Sequence, residues 1–106
     1  MAILAYFDQQ PIEYRLRKID YGKWLSTSEI IVSLTVLLET IRLSDTQNTG
    51  NDFVVDIAFI EPNEKESVLF YAGHGYDRDE YKVTVTITTN MNQTRQDEIF
   101  YRIIEV

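Results

Sequence analysis

Residues 72–89 read AGHGYDRDEYKVTVTITT, and the fold turns on their second half. From 81 to 89 the chain alternates without a break. Tyr81, Val83, Val85 and Ile87 share one face, and Lys82, Thr84, Thr86 and Thr88 share the other. Successive side chains of a strand point to opposite faces, so this is a strand with one buried and one wetted side. Tyr81 opens it, with Asp77 four residues before. In immunoglobulin-like sandwiches a tyrosine near the start of strand F buries its ring and hydrogen-bonds back at the corner between the sheets. Tyr81 and Asp77 are therefore the expected structural corner. Val83 stands where an antibody domain carries its second cysteine, and an aliphatic residue fills that place here.

The first half of the stretch raises a chemical question. His74, the only histidine, sits between Gly73 and Gly75, and Asp77, Asp79 and Glu80 follow at once. Zinc sites usually draw on more His or Cys than this chain has. The calcium loop pattern D-x-[DN]-x-[DN]-G fails, because Tyr81 occupies the fifth place of DRDEY. Asp77 and Asp79 stay as the metal-ligand candidates, set against the plainer reading of a solvated acidic turn. A lone histidine acts as a general base only with a nucleophile or acid beside it, and no serine lies in a nucleophile-elbow pattern. No catalytic residue and no cofactor is expected, and the two glycines are expected to supply positive φ in a tight turn.

Working outward, the same period recurs. In residues 29–38 the even positions Ile30, Val32, Leu34, Val36 and Leu38 form the expected buried face, opposite Glu29, Ile31, Ser33, Thr35 and Leu37. In residues 52–60 Phe53, Val55, Ile57 and Phe59 stand opposite Val54, Asp56, Ala58 and Ile60. Residues 67–72 place Val68, Phe70 and Ala72 together. Residues 13–19 place Tyr14 and Leu16 together, with Ile19 out of phase, which predicts a bulge or a strand end. Residues 97–106 are apolar on both sides: Ile99, Tyr101 and Ile103 on one, Phe100, Ile104 and Val106 on the other. Trp24 with Leu25 is expected to plug one end. Turn-forming residues separate these runs at 44–52, 61–66 (EPNEKE), 73–79 and 90–94. A 3.6-residue period with caps is missing. The fold class that follows is all-β, an immunoglobulin-like antiparallel β-sandwich of about seven strands. Residues 1–106 form one domain in this reading, with residues 1–12 an N-terminal arm or edge strand.

Composition bounds the function. A chain of 106 residues buries roughly two-thirds of its unfolded surface and needs no metal to fold. It has no cysteine, which excludes disulfides and thiolate metal sites. A net charge of −7 disfavours phosphate backbones and anionic membranes, so neither nucleic acid nor a membrane is an expected partner. The start, MAILAYFDQQP, lacks a basic n-region and is not read as a signal peptide. The apolar arm offers Ile3, Leu4, Tyr6 and Phe7 as candidate partner contacts, by strand addition to a neighbour or as an edge of its own sandwich.

Several segments together resemble a family. They are Phe7-Asp8-Gln9-Gln10-Pro11 with Glu13-Tyr14, then Ile19-Asp20-Tyr21 with Trp24-Leu25, then Glu29-Ile30-Ile31. Gly73 to Gly75 before Tyr81-Lys82-Val83-Thr84-Val85-Thr86, and Asp97-Glu98-Ile99-Phe100 with Arg102, complete the set. In these the chain resembles the fibre-tail adaptor proteins of tailed bacteriophages, small immunoglobulin-like structural proteins. The polar loop 39–51 and EPNEKE depart from the family's pattern. The resemblance implies a non-enzymatic virion protein, made in the host cytoplasm, that connects tail or baseplate to a fibre or to a neighbouring tail or neck component. Its partners would be other virion proteins and copies of itself in a homo-oligomer. The alternative on the same fold is a carbohydrate- or host-surface-binding module, with Tyr71, Tyr76 or Trp24 as stacking platforms.

Overall fold

A computed structural model describes residues 2–42 and 53–104 of the chain. The 44–52 turn, Val106 and the side chain of Ile3 lie outside the described residues. Seven strands are present: β1 (Ala2–Gln9), β2 (Tyr14–Asp20), β3 (Ile31–Arg42), β4 (Val54–Ile60), β5 (Ser67–Gly73), β6 (Glu80–Thr89) and β7 (Thr94–Ile103). They form a four-stranded sheet, β1-β7-β6-β3, and a three-stranded sheet, β2-β5-β4. These match the G-F-C and B-E-D sheets of an immunoglobulin sandwich, with the first strand added on the G edge. The arm therefore pairs within its own chain. It does so parallel to β7, from Ala2 opposite Asp97 to Gln9 opposite Ile103, so one pair of an otherwise antiparallel sandwich is parallel.

The core lies between the sheets and follows the alternation where the alternation is strict. Val68, Phe70 and Ala72 of β5 are buried, as are Tyr81, Val83, Val85 and Ile87 of β6 and Ile99, Tyr101 and Ile103 of β7. Phe53 stacks on Tyr81 with centroids 4.6 Å apart and tilts against Tyr101 at 5.0 Å.

Three expected phases are overturned. On β2 the inward residues are Arg17 and Ile19, with buried Tyr21 just past its end, while Tyr14 and Leu16 face out. The register against β5 is unbroken, so Ile19 marks no bulge, and the strand ends one residue later at Asp20. Arg17 takes an inward position because its guanidinium lies over the Phe7 ring, Cζ 3.9 Å from the centroid, and donates to Gln9 Oε1 at 2.6 Å. At the start of β3 the buried residues are Glu29 and Ile31 rather than Val32, because the register shifts between Ile31 and Ser33. The even phase resumes at Leu34, Val36 and Leu38. On β4 the face switches at a bulge. Ile57 has φ 53°, the register shifts between Asp56 and Phe59, and Phe59 and Ile57 turn outward while Ile60 turns in.

One end of the sandwich is closed by Tyr21, Trp24, Arg95 and Asp97. The Tyr21 and Trp24 rings meet edge to face at 6.4 Å, and Arg95 lies 5.4 Å from the Trp24 centroid while its Nε donates to buried Asp97 at 2.8 Å. Trp24 thus sits at the end of the core, half-buried. The EPNEKE turn accepts there through its backbone: Glu66 O from Tyr21 N–H at 2.9 Å and Lys65 O from Ile31 N–H at 2.9 Å. Glu29 is buried beside them. It accepts from Ser26 N–H at 2.9 Å and from the Thr89 hydroxyl at 2.6 Å.

The Ser26 N–H first, then the Thr89 hydroxyl, hold the Glu29 carboxyl below its ordinary 4.5, with burial opposing them. A depressed carboxylate pKa contributes stability that is present above the ordinary value and lost as pH falls through the folded value. Glu29→Gln is therefore expected to flatten the fall of melting temperature on acidification below pH 4.5, in a pH series of thermal melts against the parent chain. A variant whose acid limb stays parallel to the parent's would overturn this.

Candidate interaction surface on the four-stranded sheet

The turn that raised the chemical question proves to be a structural corner. Asp79 is fully buried, and its Oδ2 accepts from the Tyr81 hydroxyl at 2.8 Å and from Tyr76 N–H at 3.2 Å. Its backbone carbonyl accepts from Ile103 N–H at 2.9 Å, tying the turn to β7. The hydroxyl of Tyr81 thus reaches the carboxylate of Asp79, two residues upstream. Asp77 lies at the turn, half-buried, 3.7 Å from Arg78 Nε. No group of three or more metal-ligating side chains gathers among the described residues. The two glycines do different jobs. Gly75 has φ 87°, and a Cβ there would stand 3.1 Å from Ile103 Cγ1. At Gly73 a Cβ would meet Glu13 O at 2.3 Å, so this glycine lets two backbones close on each other. The left-handed positions of the turn also include His74 and Arg78.

The outward face of the four-stranded sheet carries ordered rows across the strands. In one row Tyr6, Phe100, Lys82 and Glu39 stand side by side by register. Tyr6, 72% exposed, stacks on Phe100 with centroids 5.2 Å apart and planes 17° from parallel. Lys82 Nζ lies 3.1 Å from Glu98 and 3.7 Å from Glu39. The hydrogen bond to Glu98 is the main reason its pKa is raised. In the next row Asp8, Arg102, Glu80 and Arg42 alternate in sign from β1 to β3. Arg102 grips Asp8 with Nε on Oδ1 at 3.1 Å and Nη2 on Oδ2 at 3.3 Å, and this fork is the main cause of its raised pKa. Arg42 lies 3.6 Å from Glu80. Tyr6, Asp8, Ile41, Glu80, Phe100 and Arg102 line a groove of about 320 Å3 over these rows.

Exposed ion pairs of this kind contribute little to stability singly. Their chemical capacity is orientation: a rigid aromatic pair beside charges of alternating sign fixes how a protein partner can seat. Of the candidate contacts in the arm, Tyr6 and Leu4 are exposed on β1. Phe7 is half-buried, between Tyr101 and the Arg17 guanidinium, and Ile3 aligns with Glu98 through its backbone. Phe100, Asp8 and Arg102 complete the surface. Sequence reasoning did not assign them to it, because no local pattern reveals a parallel pairing between strands about ninety residues apart.

The three-stranded sheet carries a second aromatic group on its outer face. Tyr14 stacks on Tyr71 at 5.3 Å and on His74 at 5.3 Å, and its hydroxyl donates to Asp56 Oδ2 at 3.2 Å. Leu16, Ile57 and Phe59 are exposed on β2 and β4 of the same sheet. His74, the residue that first suggested chemistry, belongs to this stack. Tyr76 and Trp24, the other expected stacking platforms, are half-buried. No family model matches the chain, and no curated protein matches it.

Proposed function

We propose that the chain is a non-enzymatic structural binding module, a virion component of a tailed bacteriophage that joins tail or baseplate to a fibre or to a neighbouring tail or neck component. The observation that carries the proposal is how the segments resembling the adaptor family come together. Asp8 of the first segment grips Arg102 of the last, and Lys82 to Val85 of the strand segment pair in register with Phe100 to Asp97 of the closing one. Motifs far apart in the chain are thus contact sets of one scaffold. What that scaffold presents outward is the Tyr6–Phe100 platform and its charge rows, a surface suited to other virion proteins. A chain of net charge −7 suits neither nucleic acid nor an anionic membrane as a partner.

The test is immunogold labelling of intact tailed particles from the source lysate with an antibody raised against the chain. Label confined to one junction of the tail or baseplate is the expected result. Protein found free in solution, with particles unlabelled, sinks the adaptor reading. The Tyr14–Tyr71–His74 stack with Asp56 beside it favours a second reading, a carbohydrate-binding face. Glycan binding lost in Tyr14→Ala would promote it.

A further inference from the structure

β1 and β2 are edge strands of different sheets, and they share one flank of the sandwich. The break in the described residues, between Arg42 and Phe53, falls on the opposite flank, where β3 meets β4. Phe7 and Arg17 bridge the β1–β2 flank, ring to guanidinium. Beside them opens a cleft of about 240 Å3, lined by Leu4, Phe7, Ile19 and Ile99 together with Arg17 and Lys18. Arg17 differs from the other arginines. Arg15, Arg42, Arg78, Arg95 and Arg102 each have a carboxylate at 3.7 Å or less. Arg17 has none among the described residues, in a chain with 17 acidic groups against 10 basic ones. Its Nη2 donates to Gln9, and its Nε is buried with no hydrogen-bond partner. A half-buried charge is costly until it is paired, and the contact with Phe7 holds this one in place for a pairing group.

We propose that this flank takes an extended acidic segment of a partner protein, added as a strand along the outer edge of β2 with a carboxylate on Arg17. Arg15, Arg17 and Ile19 stand at every second residue of β2 and so share one side of it. The matching side of the added strand then reads acidic, acidic, apolar: carboxylates opposite Arg15 and Arg17, and an apolar residue opposite Ile19 beside the cleft. β2 suits the addition because its pairing with β5 is unbroken from Tyr14 to Asp20, whereas the pairing of β1 is irregular between Ile3 and Ala5. Charge selects the occupant. A second copy joined β2 to β2 would set Arg15, Arg17 and Lys18 against the same cations. Size excludes a second class. The cleft is smaller than the ~300–1,000 Å3 of most small-molecule sites, and it suits the side chains of a strand.

The probes are the peptide Ac-TVTVTETET-amide, which presents this pattern to β2 in the antiparallel direction, and its reverse, Ac-TETETVTVT-amide, for the parallel one. Each is titrated into the full chain at low salt and followed by heteronuclear NMR. One of them is expected to give saturable shifts centred on β1 and β2. Its counterpart with glutamine for glutamate should bind about tenfold or more weakly, the loss of a charge-assisted hydrogen bond. Arg17→Met should lose as much. Should that variant fail to fold, Arg15→Gln, at an exposed side chain, carries the same test with a severalfold loss. Lys65→Gln removes the same charge from an exposed turn and should bind as the parent does. Failure of both peptides to saturate overturns the proposal. So does equal binding of the glutamine counterpart, or an Arg15→Gln chain that binds like Lys65→Gln. Hexanoate binding as tightly as the peptide would replace the strand with a small carboxylate. The inference does not rest on the adaptor reading: unlabelled particles leave it standing, and silent peptides leave the adaptor reading standing.

Discussion

Phe70→Ala is expected to destabilise the chain by about 3–5 kcal/mol, the largest loss from any single truncation named here. Phe70 has no exposed surface and sits at the middle of β5, the central strand of its sheet. Its ring is enclosed between the sheets, and the close-packed core cannot collapse fully into the space it leaves. A small domain holds only about 5–15 kcal/mol in total, so the variant should be partly unfolded at modest urea concentrations. Urea titration followed by circular dichroism measures this: the midpoint should fall while the slope with denaturant stays unchanged. Phe59→Ala is the informative partner. Alternation across β4 would group Phe59 with Phe53 and Val55, but the bulge at Ile57 turns it outward, 38% exposed. Its loss should be less than half that of Phe70. Equal losses would mean that the face does not switch at the bulge.

Tyr81→Phe is expected to cost about 1–3 kcal/mol, because it removes a donor from a buried carboxylate while keeping the ring. The hydroxyl gives Asp79 its 2.8 Å hydrogen bond, and Asp79 in turn holds Tyr76 N–H and Ile103 N–H. The stack on Phe53 is retained, so the change reports on the corner and not on packing. Tyr6→Phe is the control, since its hydroxyl belongs to an exposed side chain, and it should stay within ~0.5 kcal/mol of the parent. Thermal melts resolve the difference, as one kcal/mol moves the midpoint of a domain this size by roughly 4 °C or more. A Tyr81→Phe melt matching that of Tyr6→Phe would deny the corner its energetic role.

The parts of the fold that could be read in advance are those where period and polarity agree. On β5 and β6 every inward residue but Tyr81 and Thr89 near the two ends of β6 is aliphatic or phenylalanine, and the two-residue period names the core directly. On β2 the same period holds but polarity misleads. An arginine lies inward because an aromatic face and a glutamine oxygen receive its head, and two apolar residues lie outward. On β4 and at the start of β3 the polarity is apolar on both sides, so an inserted residue shifts the face without leaving a trace in composition. The corner was legible as a place anchored by Tyr81, and the part of Asp79 in it was not. Three carboxylates stand within four residues, and no local pattern tells that Asp79 is the one fully buried. Tyr6 and Leu4 could be named from an apolar arm. Their neighbours could not, since Phe100 and Arg102 join them only through the parallel pairing of β1 with β7.

That pairing sets how the molecule carries tension. β1 begins beside Asp97 and β7 ends beside Gln9, so the chain enters and leaves the pair at opposite ends of the same ladder. A pull applied along the chain from both sides drags the two strands past each other lengthwise. Every hydrogen bond from Ala2 to Gln9 is then loaded at once, together with the Asp8–Arg102 fork, which lies across the direction of sliding. A hairpin pulled from its open end unzips one bond at a time. Pulled this way, β1 and β7 form a shear joint, with the load shared along their whole ladder.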